Sequence, residues 1–128
     1  HQAGRIMEAE PLYRQVLQAQ PRHFDGLHLL GVIHYHRGEY DEALARINAA
    51  LAINPDFAAA HNNLGTVLND LGRTEEALVS YDRAIALKPD YAEAFCNRAN
   101  LLKALKRFDE ALADYDRAIA LQADRTRE

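Results

Sequence analysis

Six histidines and one cysteine are the residues of this 128-residue chain most able to do chemistry, and their spacing argues against it. His34 and His36 are two apart, so one helix would point them to different faces. No histidine pair at i, i+4 and no carboxylate set accompanies them, as a metal site on a helix requires. Cys96 has no second cysteine for a disulfide or a zinc site. Paired with a nearby histidine it would still lack an oxyanion hole on a helix face. No catalytic residue, metal or cofactor is therefore expected. Carboxamides offer a different chemistry. Opposite an apolar stripe, the stretch 57–71 carries Ala59, Asn62, Asn63, Thr66, Asn69 and Asp70. Asparagine is about 0.6 kcal/mol worse than alanine in a helix, so three on one helix need a reason. Thirty-four residues on, Asn97 repeats Asn63 and Asn100 repeats Thr66. Each amide holds a donor and an acceptor, matching the N–H and C=O of an extended peptide backbone. The candidate peptide-binding set is thus Asn62, Asn63, Thr66, Asn69, Asn97 and Asn100, with His28, Tyr35 and Lys103 on the same side. The alternative is that these amides bond to one another between adjacent helices and do nothing more.

The elements that must carry this set follow a fixed period. Pro21, Pro55 and Pro89 lie 34 apart, and the next step lands on Ala123. Gly4, Gly38 and Gly72 keep the same interval, followed by Lys106. Small residues recur in register at Gly31, Gly65 and Ala99, and at Ala9, Ala43, Ala77 and Ala111. Within one unit, Phe57, Ala60, Leu64, Val67, Leu68 and Leu71 form the i, i+3, i+4, i+7 stripe of a helix. Gly72 suits the left-handed residue that ends it. A second helix is expected from about Thr74, a plausible cap, to Lys88, with Pro89 as its stop and Asp90 as the cap of the next. Gly65 and Ala77 leave room for two antiparallel helices to cross closely. Such a hairpin cannot bury its stripe alone, but a stack of them can.

The order Leu27, Leu30, Gly31, His34, Ala43, Ile47, Pro55, then His61, Leu64, Gly65, Leu68, Ala77, Tyr81, Pro89, then Phe95, Arg98, Ala99, Leu102, Ala111, Tyr115, Ala123 resembles the tetratricopeptide repeat. The resemblance implies an all-α, right-handed solenoid of stacked helical hairpins with about seven helices, in one domain over 1–128. Residues 4–21 read as the second helix of a partial repeat, 22–55, 56–89 and 90–123 as full repeats, and 124–128 as a tail. His1, Gln2 and Ala3 read as the end of a preceding helix. Arg98 in an apolar slot and Lys106 in a glycine slot predict looser packing of the last repeat, by about 1 kcal/mol for the non-glycine turn. Both ends are expected to be open, with Leu12, Val16, Ala118 and Leu121 uncovered and available for self-association.

The segments "NNLG" at Asn62 to Gly65 and "CNRA" at Cys96 to Ala99 are similar to those of O-linked N-acetylglucosamine transferases, where an asparagine ladder lines the concave face. Here the ladder would be Asn63 and Asn97, broken at Leu29. Co-chaperone repeats that clamp a C-terminal carboxylate are a poorer comparison: of His28, Val32, Asn63, Glu93 and Asn97, only Asn63 fits that pattern. The function implied is a protein interaction module that takes a peptide segment in its groove. The alternatives are the substrate-recognition arm of such a glycosyltransferase or an oligomerisation scaffold. Net charge is −4 without any Lys/Arg run, which disfavours nucleic acid. No apolar stretch is long enough for a membrane span. Compartment stays open, with the cytoplasm as default.

Overall fold

Hydrophobic periodicity resolves into seven helices and no strand among the residues that the computed structural model describes, 8–20 and 23–127. They are α1 Glu10–Ala19, α2 Phe24–His36, α3 Tyr40–Ile53, α4 Ala58–Asp70, α5 Thr74–Leu87, α6 Ala92–Ala104 and α7 Phe108–Arg127. His1, Gln2, Ala3, Gly4, Pro21 and Glu128, to which the sequence reading gave roles, lie outside the described residues. The strongest packing joins α2 to α3, α4 to α5 and α6 to α7. Looser contacts join each hairpin to the next. The chain is an all-α solenoid of helical hairpins, and its elements repeat at the 34-residue step.

The turns obey the same step. Gly38 and Gly72 take left-handed backbone, φ 76° and 79°, and Lys106 does so with φ 63°. Past each turn one N–H closes back onto the helix: Glu39 to the His34 carbonyl at 2.9 Å, Arg73 to Leu68 at 2.8 Å, Arg107 to Leu102 at 2.9 Å. These are the six-to-one closures of a left-handed C-terminal cap, and they satisfy carbonyls the helix leaves open. Between repeats, Phe57 N–H bonds the Asn54 carbonyl and Tyr91 N–H the Lys88 carbonyl, at 3.3 and 3.0 Å. Thr74 is the first helical residue of α5 rather than its cap, and Tyr91 rather than Asp90 precedes α6; neither helix has a side-chain cap bond.

Small residues make room for side chains as much as for backbone. A Cβ on Gly65 would stand 2.6 Å from Tyr81 Cε1, and one on Gly31 2.7 Å from Ile47 Cγ1. The glycine therefore admits a large residue from the paired helix at close range. Ala43, Ile47, Ala60 and Val67 form a core between α3 and α4, and Leu68, Ala77, Tyr81 and Leu101 form one from α4 to α6. At the C-terminal end Ala92, Phe95, Ala118 and Leu121 pack together. Ala118 and Leu121 are thus buried, contrary to the expectation that they lie uncovered; the exposed large apolar residues of α7 are Phe108, Leu112 and Ile119. Leu12 on α1 is exposed as expected, while Val16 is half-buried. The expected tail is also replaced: α7 continues to Arg127, because Ala123 stands where Pro55 and Pro89 end the earlier second helices.

Arg98 does not loosen its repeat. Its Nε and Nη2 bond Asp114 at 2.7 and 2.8 Å, and Nη1 bonds Asp82 at 2.9 Å. Asp114 is buried, and this fork holds the Arg98 guanidinium even more firmly protonated than usual.

Candidate functional site

The first helices of successive hairpins, α2, α4 and α6, touch one another across repeats, whereas the second helices do not among the described residues. That geometry puts the first helices on the inner side of the stack. Between them lies a cleft of about 200 Å³. Its floor is apolar, from the buried Ile47 and Val67 with Val32 beside them; Tyr35 and His36 stand at one side, and Asn63, Thr66, Glu93 and Asn97 supply the polar atoms.

The structure brings part of the expected set together here. Asn63 and Asn97, half-buried, line the same cleft with Thr66 and Tyr35. Thr66 Oγ1 donates to the Asn62 carbonyl at 3.3 Å and lies 3.0 Å from the Tyr81 hydroxyl. Tyr35 donates its hydroxyl proton to Asp70 at 2.7 Å, and burial together with that carboxylate raises its pKa well above the usual tyrosine value. Asn69, Asn100 and Lys103 are exposed away from the lining, and Asn100 accepts from the Tyr115 hydroxyl.

Two expected contact residues are buried. Asn62 has no exposed area and His28 is 5% exposed. A helix face is narrower than the sequence stripe suggests, and neighbouring positions 62 and 63 divide between the seam and the cleft. Both buried groups partner the ladder: Asn97 Nδ2 donates to Asn62 Oδ1 at 3.0 Å, and Asn63 Nδ2 lies 2.8 Å from His28 Nε2. Asn62 Nδ2 is buried without a hydrogen-bond partner among the described residues. Burial pushes the His28 pKa down to about 4, against a small opposing effect of Asp25, so at neutral pH its ring is uncharged. Its imidazole packs edge-on against Phe57, centroids 4.7 Å apart. The Asn97–Asn62 bond is the pairing of amides between adjacent helices that the sequence offered as the alternative, whereas the His28–Asn63 contact was missed, although the pairs 28/63 and 62/97 share one spacing of 35.

A larger apolar groove of about 790 Å³ lies at the C-terminal end, with Tyr91, Cys96, Tyr115, Ala118, Ile119 and Gln122 among its walls. Among the described residues no group of three or more His, Cys, Asp or Glu could hold a metal ion. No described helix is long and apolar enough to cross a membrane.

Stacked hairpins with an inner polar cleft define a helical-repeat scaffold of the kind that binds other proteins. Family profiles described as tetratricopeptide repeat match residues 1–65 and 92–124, and one described as TPR repeat matches 65–106. The chain belongs to the tetratricopeptide repeat family and is a protein-interaction module. It is 36% identical over 64 residues to a probable UDP-N-acetylglucosamine–peptide N-acetylglucosaminyltransferase SEC of Arabidopsis thaliana. That match covers 50% of this chain and 7% of the relative's length. Two crystal structures of MamA share the fold, at TM-scores 0.78 and 0.74 with 20% and 19% identity. They cover 95% and 98% of this chain, which in turn covers 67% and 93% of theirs.

Proposed function

We propose that the cleft between α2, α4 and α6 binds an extended peptide segment of a partner protein, with Asn63 and Asn97 bonding its backbone. The observation that carries this reading is that the two carboxamides, 34 residues apart, line one open cleft with an apolar floor. Side chains of the peptide would take the floor while the amides hold its main chain, which gives binding with little sequence dependence. The transferase relative is named for acting on a peptide, which fits the same use. In a larger transferase of that kind this stretch would be a substrate-recognition arm. The test is a pull-down and affinity measurement with Asn63→Ala/Asn97→Ala. An unchanged partner set at unchanged affinity would leave the cleft without this role; a loss of about tenfold or more, with helicity retained, supports it.

A second reading, self-association with a second copy at the C-terminal end, is favoured by a different observation. Leu112 and Ile119 are 60% and 66% exposed, whereas their counterparts Leu44, Leu51, Leu78 and Ile85 are half-buried. Those counterparts pack in cores that the following hairpin helps to close. A second copy laid along α7 would continue that interface. Ile119→Asp is then expected to lower the sedimentation mass toward a monomer; a monomeric wild type at every concentration would refute it.

A further inference from the structure

Three polar groups of the cleft turn a proton into the protein. Thr66 donates to the Asn62 carbonyl and Tyr35 to Asp70, and Asn97 spends one amide proton on Asn62 Oδ1. The Asn62 end of that bond is Oδ1, while its Nδ2 is buried without a partner among the described residues. Asn63 meets His28 at the same 35-residue step back, 2.8 Å from Nε2. His28 occupies the place of Asn62 one repeat earlier, buried against Phe57, with Asp25 the one charged group that acts on it. A neutral imidazole has one lone pair, and placing it at Nε2 lets Asn63 bond as Asn97 does. Neither Asn63 Oδ1 nor Asn97 Oδ1 accepts a bond from the described residues, and neither is sealed from solvent. Glu93, also in the lining, is an acceptor as well.

We infer that His28 and Asn62 are positioning residues that turn the carbonyl ends of Asn63 and Asn97 outward, so that the cleft selects a peptide by its N–H donors and rejects carboxylate or phosphate groups. This rests on the peptide-binding reading above. A ligand main chain would be gripped at its amide protons, while an acceptor-only group would find no partner in these two oxygens or in Glu93 and would leave its desolvation uncompensated there.

The orientation is tested without any ligand by side-chain 15N NMR on the intact chain at neutral pH. His28 is expected with Nδ1 protonated and Nε2 bare, coupled across the bond to the Asn63 amide. A protonated Nε2 would reverse the bond and overturn the inference. The ligand arm uses short random peptides with amidated C-termini, followed by backbone N-methylation of the best binder. At least one N-methyl group is expected to cost about tenfold in affinity, and restoring the free carboxylate to bring no gain. His28→Gln, which keeps an acceptor, should bind within about threefold of wild type, and His28→Leu should lose about tenfold with its circular dichroism unchanged. Equal loss in both variants, or none in His28→Leu, would overturn the positioning role. If no peptide binds, the functional reading fails while the NMR result still decides the orientation.

Discussion

His28 shows how one residue can tie a binding surface to pH. Its ring is nearly sealed, and burial holds its pKa at about 4 against an ordinary 6.5. Between those values the unfolded chain binds the proton and the folded chain does not, so stability rises with pH across the window. The contribution is complete above the unfolded value and is lost as pH falls toward about 4. The shift corresponds to about 3 kcal/mol. Urea melts at stepped pH should show wild type losing that amount relative to His28→Gln, whose amide does not titrate. If the two chains weaken in parallel from neutral pH to about 4, the window belongs to other groups.

Among the elements, the last hairpin has exchanged one kind of packing for another. Where Leu30 and Leu64 stand in the first two full repeats, α6 carries Arg98, and where α5 has Ser80, α7 has Asp114. The two changes belong together, since Arg98 forks onto the buried Asp114 and reaches Asp82 on α5, joining three helices. Arg98→Leu alone would strand a buried carboxylate and is expected to cost about 3–5 kcal/mol. Adding Asp114→Ser recreates the Leu64/Ser80 pair and should recover most of the loss. Chemical denaturation of the single and double variants decides this: a single variant as stable as wild type would show that the pair is indifferent to the fold. Reading Arg98 in isolation predicted a weak repeat because the compensating residue is 16 positions away, across a turn.

At the scale of the whole molecule, the solenoid was legible because period and helix stripe agree: proline or glycine marks every turn before the last hairpin's, where Lys106 takes the glycine place, and small residues mark each crossing. What the period could not convey is depth. Asn62 and Asn63 are neighbours of one type, yet one is sealed in the seam and the other lines the cleft, a division set by packing against neighbouring helices and not by either residue's chemistry. The same limit misplaced Ala118 and Leu121, which α6 covers, while Ile119 between them faces out. Ala123 was recognised as the missing proline, but its effect, a helix that runs on to Arg127, depends on the absence of a stop signal.

Lys106 makes the three hairpin hinges unequal. Gly38 and Gly72 rest in left-handed backbone at no steric cost, whereas the lysine keeps a side chain in a region that L-residues avoid by about 1 kcal/mol. That strain is relieved only when the two arms of the final hairpin part. Thermal agitation should accordingly unlatch the chain there first, and amide protons of α7 should trade with deuterium ahead of those in α3 and α5.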